Sequence, residues 1–261
     1  MKINLYRLTR ACLNIFGIRK NKNDEGVKGQ FKAAAEKRAE YAQNSDTYDV
    51  DFLKFFENKE MNDILLQHNQ IGPLNLPTGR IIACDPFYVG EEFTAPFERQ
   101  VEPGKYPVIV VTGDFGWWGN RVAFAGVKLS DSKPARWELA KNILDQEAFN
   151  SLYGVDGGIG SFSDSEAAEL LHQTLTAFYQ QNPTGNYYED ILADEFALHV
   201  NWNDHRPDPQ EKLNVIMFSS GFGDGVYSSY WGLDIDGDVA WLVTDFQLFT
   251  PEGTILSDVI D

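Results

Sequence analysis

Only two cysteines, Cys12 and Cys84, occur in 261 residues. They stand in segments of different character, so the sequence offers no disulfide framework and reads as a chain for a reducing compartment. Long apolar runs are missing as well. No stretch approaches the roughly 20 apolar residues that a membrane-spanning helix needs. Near the start, Arg7 and Arg10 interrupt the apolar residues, which argues against a secretory leader. A cytoplasmic location without a transmembrane segment is the expectation. Catalytic signatures are also absent. No HExxH or compact zinc spacing links His68, His172, His199 and His205, and there is no GxSxG nucleophile elbow. The glycine cluster from Gly221 to Gly225 lacks the lysine of GxxxxGK[ST] and the spacing of GxGxxG, and Asp224 within it repels phosphate. Its glycines read as turn formers. No cofactor and no resident metal are expected.

Positive charge is scarce beyond the first forty residues. Residues 1–40 hold 10 Lys/Arg against 4 Asp/Glu, a net of +6, and the other 221 residues hold 12 against 35, a net of −23. An acidic body repels phosphate backbones, so nucleic acid is not an expected partner. A basic protein partner, or solubility alone, fits that charge.

What is present is ample apolar material: 43% hydrophobic and 13% aromatic residues. The densest feature runs from Ser219 to Phe246. It packs glycines, Tyr227, Tyr230 and Trp231 ahead of Asp236-Gly237, a pair that accepts positive φ at a two-residue hairpin turn. This predicts a hairpin of strands 226–235 and 238–246. Runs at 81–84, 106–112, 121–129 and 213–218 read as further strands, with 113–120 a loop. Helices are expected at 134–149, with Pro134 in the first turn, at 164–181, capped by Ser163 or Asp164, and at 188–200, with Ile191, Leu192, Phe196 and His199 on one face.

The first 70 residues have a different texture. Leu5, Leu8, Cys12, Ile15 and Phe16 recur at helical spacing beside Arg7, Arg10, Arg19 and Lys20. Residues 20–30 read as a linker, 31–44 as a helix of high propensity, and 49–68 as one or two more helices. The expected organisation is a helical N-terminal extension over 1–70 and a main domain over 71–261. The fold class is α+β, a mostly antiparallel sheet with packed helices.

Five blocks then match a known pattern: LPTGRIIACDPF (76–87), PGKYPV (103–108), RVAFAGVKLS to ARWELA (121–140), YGVDGGIGSFSD (153–164) and NVIMFSS to VTDF (214–246). Together they resemble a bacterial family known as domain of unknown function 4241, over about residues 72–246. The resemblance brings no catalytic residues. Acidic domains built on a Gly/Trp-rich sheet are also similar in type to immunity proteins of bacterial toxin systems, an analogy of fold rather than of site.

Two sets of residues are candidates for function. Trp117, Trp118, Tyr227, Tyr230 and Trp231 can form an aromatic recognition surface, since exposed Trp and Tyr dominate binding hot spots, or can serve as core. Asp85, Asp156, Asp164, Asp224 and Asp245 lie at strand ends or in glycine-rich loops. If they converge, they could bind a divalent cation or act as acid and base. Each can equally cap a helix or bond its own turn. Asp234, Asp236, Asp238 and Asp245 have the odd spacing of a calcium loop but place Val239 where glycine is needed, so they read as an ordinary turn. The leading reading is a non-catalytic cytosolic binding protein, an immunity protein for a basic toxin domain being one form of it. The alternative is a metal-assisted hydrolase using the loop aspartates.

Overall fold

A computed structural model describes residues 50–90, 94–144, 152–249 and Gly253. Residues 1–49 of the helical extension expected over 1–70 lie outside them. Among the described residues twelve strands dominate: β1 (Glu60–Met61), β2 (Ile64–Leu76), β3 (Ile81–Cys84), β4 (Gly104–Asp114), β5 (Asn120–Lys128), β6 (Arg136–Leu139), β7 (Leu152–Val155), β8 (Ile159–Asp164), β9 (Trp202–His205), β10 (Val215–Ser219), β11 (Gly225–Leu233) and β12 (Val239–Asp245). Helices are α1 (Leu53–Glu57), α2 (Ser165–Gln181) and α3 (Ala193–His199), with a π-helical turn at Tyr188–Leu192 leading into α3.

The strands form two sheets, and their pairings are antiparallel. The larger runs β1-β2-β4-β5-β12-β11-β6, with β7 also on β11, and the smaller runs β3-β8-β10-β9. Side chains alternate between faces with period 2, and this sorts the apolar residues into layers. Val108, Val110, Val127 and Leu242 of the larger sheet pack against Ile81, Phe162, Ile216 and Phe218 of the smaller, so a core lies between the sheets. The other face of the smaller sheet, with Ile82, Ile159, Val215 and Met217, is covered by Leu171 and Leu175 of α2 and by Leu192 and Phe196. The other face of the larger sheet is covered by Val50, Phe52, Phe55, Leu248 and Phe249. Phe55 stacks on Phe124 at 4.4 Å, and Phe52 meets Trp137 edge to face at 5.1 Å. Such ring pairs add about 0.5–1.5 kcal/mol each beyond the area they bury. The fold is mostly antiparallel sheet with few helices, within the α+β class.

Three expected elements are corrected. Residues 134–149 do not form a helix in their described part. Arg136–Leu139 is a strand on β11, because Ala135 N–H bonds Leu233 O, Ala140 N–H bonds Ser229 O, and Trp137 packs over Gly232. Residues 145–149 of that expected helix lie outside the described residues. Residues 49–68 hold only the short α1 before β1 and β2 begin. Strand β2 runs across position 70 and pairs with β4 from Leu66 to Leu76, so a strand of the main sheet crosses the expected boundary between extension and domain. The hairpin at Asp236-Gly237 has a three-residue loop. Gly237 N–H bonds Asp234 O, Asp234 N–H bonds Asp238 O, and Gly237 sits at φ +88°. That is a type I turn closed by a left-handed glycine. The Asp234 carboxylate accepts the N–H groups of Asp236 and Asp238, the turn role expected of it.

Candidate functional site: the loop-bearing end of the sandwich

Antiparallel pairing gathers several connections at one end. Asp114 at the end of β4 lies opposite Asn120 at the start of β5, and the link between them contains a 3-10 turn, Gly116–Trp118. The β10–β11 link, residues 220–224, joins the smaller sheet to the larger. Tyr227 holds it by donating its hydroxyl toward Ser220 O (3.1 Å) and Gly223 O (2.7 Å). Burial raises the Tyr227 phenol well above its usual range, with the charges of Asp224 and Asp245 adding to the effect. The two links touch: the Trp118 indole meets Phe222 edge to face, and Phe115 also lies against Phe222. The β7–β8 turn comes alongside, since a Cβ on Gly158 would lie 3.8 Å from Gly223 Cα. The turn before β9 joins through Asn201, whose side chain donates to Asn120 Oδ1 at 2.8 Å and whose carbonyl accepts Ser219 N–H.

Asp85 organises the floor of this end. It is buried, and its carboxylate accepts N–H groups from Phe87 (3.0 Å), Asp156 (3.1 Å) and Gly157 (3.0 Å). Burial pushes its pKa up to about 6 against the pull of those three donors. Tyr88, in the 3-10 turn after Asp85, donates to Asp156 Oδ2 at 3.1 Å. Its phenol is raised by burial first, then by the negative charges of Asp156, Asp85 and Asp224. Neighbouring Cys84 is buried, with its thiol pushed up to about 12 by burial and by Asp85, so it is a poor nucleophile.

The sequence candidates therefore divide. Asp85, Asp156, Asp224 and Asp245 share this end, but Asp164 does not. Asp164 lies opposite Ile81 and Asp85 follows Cys84, which places them about 13 Å apart along β3 at the usual strand rise. Asp164 is a buried cap: its carboxylate accepts Glu166 N–H, Thr78 N–H and the Thr78 hydroxyl. Asp245 accepts Gln247 N–H at 2.7 Å. Convergence of all five aspartates is thus corrected: two-dimensional strand pairing separates them, and Asp85, Asp164 and Asp245 bond backbone. Among the described residues no three of His, Cys, Asp and Glu are placed to hold a metal ion.

The aromatic set divides as well. Tyr227, Tyr230 and Trp231 are buried in the two cores of the larger sheet, because β11 is a central strand with a packed layer on either face. They leave the recognition surface. Trp118 is half-exposed and remains, and the Trp117 backbone belongs to the same 3-10 turn. The structure adds residues that sequence reasoning missed: half-exposed Phe222 and Tyr88, and exposed Asp114. Phe222 was visible inside the glycine cluster, where an aromatic between two turn-forming glycines has little reason to be core.

The α/β/β arrangement gathers its connecting loops at one end, and the candidate site lies on those loops. The family comparison agrees with the motif blocks. Residues 74–244 match the model of the family described as Protein of unknown function (DUF4241), and the chain belongs to that family. No curated protein and no solved structure matches the chain. Among the described residues no helix is long and apolar enough to cross a membrane.

Proposed function

We propose that this is a non-catalytic cytosolic binding protein whose loop-bearing end receives a basic protein partner, in the manner of an immunity protein that neutralises a toxin domain. One observation carries the reading: the half-exposed Trp118–Phe222 pair, built where two links meet and accompanied by exposed Asp114 and Asp224 and half-exposed Asp156. An aromatic anchor inside an acidic rim suits a cationic surface with an apolar centre. The chain's charge supports it, since residues 142–205 hold eleven Asp/Glu and no Lys or Arg. Such a field steers oppositely charged proteins and repels nucleic acid. The wild-type chain, tagged and expressed in its native host, is expected to retain a cationic protein. Recovery of only acidic proteins would contradict the proposal.

A further inference from the structure

The outermost layer on the smaller sheet presents a second surface. In the span from Tyr188 to Val200, Leu192 and Phe196 are buried, but Ile191 is 44%, Leu198 77% and Val200 67% exposed. Ile191 and Leu198 are seven residues apart and share one helical face. Ile191 and His199, expected on one face with Leu192 and Phe196, are exposed while those two are buried. Val200 stands at φ +66°, ψ −45°, and Asn201 N–H bonds His199 O at 2.8 Å across it. This is a γ-turn of the strained hand, adopted by a β-branched residue for which positive φ is an outlier. Strain of that kind persists where the surroundings enforce it, and it clusters at binding sites and switches. Here His199 stacks on Trp202 at 3.7 Å while Val200 projects to the surface. Exposed Glu189, Asp190, Asp194 and Glu195 lie among these apolar residues.

We infer that this face is the docking site of the chain's own basic segment, residues 1–20. Two observations select that occupant over others. The first is complementarity. Residues 1–20 contain Lys2, Arg7, Arg10, Arg19 and Lys20 and no acid, with Leu5, Leu8, Ile15 and Phe16 at helical spacing. The face has the reverse charge and an apolar centre. The second is reach. The described chain begins at Val50 on the far face of the larger sheet. Two layer spacings of about 10 Å each, with the covering layers, separate it from α3. The intervening residues 21–49 reach at most about 100 Å at full extension, which exceeds that separation. The contact is made within one chain, so modest contacts suffice. It does not depend on the partner reading, because it concerns the chain alone.

Cys12 makes the test direct, since Cys84 is buried and its thiol is unreactive. A nitroxide placed on Cys12 of the full isotope-labelled chain is expected to broaden backbone resonances of residues 189–202 selectively. Leu198→Lys combined with Val200→Lys, both at exposed positions, is expected to abolish that broadening while the circular dichroism spectrum stays unchanged. Raising ionic strength from about 0.05 to about 0.5 M, which shortens the screening length about threefold, is expected to reduce it. Broadening centred elsewhere, no broadening, or broadening that survives the double variant overturns the inference. So does broadening that appears only between labelled and unlabelled copies of the chain, which would assign the face to a second copy.

Discussion

The Trp118 indole meets the Phe222 ring edge to face with centroids 5.4 Å apart. The two residues are 104 positions apart in the chain, one in a link within the larger sheet and the other in the link that joins the sheets. Edge-to-face contact lets each ring cover part of the other while leaving indole surface open to a partner. The backbone beneath is fixed: Tyr227 ties down the Phe222 link, and Gly119 N–H bonds Gly116 O in the Trp118 link. An anchor held on a rigid base loses little freedom on binding.

Trp118→Ala is therefore expected to weaken partner binding by about 2 kcal/mol, roughly 30-fold in Kd, with the thermal midpoint little changed because the ring is half-exposed. Titration calorimetry with the captured partner measures the first and thermal melting the second. Equal affinity of the variant and wild type would remove Trp118 as an anchor.

Asp85 makes stability depend on pH in an unusual direction. Its pKa rises from 3.8 to about 6 on folding, so between those values the folded state binds more protons than the unfolded. Its contribution to stability is present below about pH 4 and is lost as pH rises through 6, by on the order of 2–3 kcal/mol. Asp85→Asn removes this dependence. The variant also loses acceptors for Phe87, Asp156 or Gly157 N–H, which costs about 1–3 kcal/mol. Urea unfolding of both proteins from pH 4 to 7 isolates the effect as the difference between the two curves. Parallel curves would show that Asp85 ionises as it does in the unfolded chain.

Asp164 is a structural carboxylate, and its removal should show that. Asp164→Ala unsatisfies the helix N-terminus and two Thr78 donors, a loss of about 2–4 kcal/mol. Partner binding by the fraction that remains folded is expected to equal that of wild type. Weaker binding with unchanged stability would place Asp164 in function instead.

Gly237 occupies a left-handed position at φ +88° where no side chain is otherwise obstructed, the nearest atom to a Cβ being Arg136 Nη2 at 3.7 Å. Strain alone then sets the effect, and Gly237→Val is expected to destabilise by about 1–3 kcal/mol. A thermal midpoint equal to that of wild type would contradict the turn geometry.

The elements most legible in the sequence were those whose local pattern and tertiary role coincide. Strands β3, β4 and β5 are apolar runs bounded by turn residues, and Asp164 followed by Glu166 marks the start of α2 without ambiguity. β2 was hidden because His68, Asn69 and Gln70 break its apolar alternation, while Leu53, Phe56, Ile64 and Leu65 imitate a helical face. β6 was hidden because Trp137, Ala140 and Leu144 recur at helical spacing. What makes it a strand is Gly232 across the sheet, ninety-five residues away, which leaves room for the indole. In the site, Asp156, Asp224 and Trp118 were legible as loop residues between glycines. The burial of Tyr230 and Trp231 was not, because nothing local shows that β11 lies between β12 and β6 with both faces covered. Exposure of Leu198 and Val200 was equally hidden, since it depends on the π-helical turn and γ-turn that bracket α3.

The most direct test of the binding account is the association rate constant with the captured partner, measured across a salt series. Steering by an acidic surface predicts a rate that falls steeply as salt rises, because screening shortens the reach of the field to about 10 Å at 0.1 M. A rate constant that is flat across the series would show that charge does not bring the partner to the loop-bearing end, and would contradict the account.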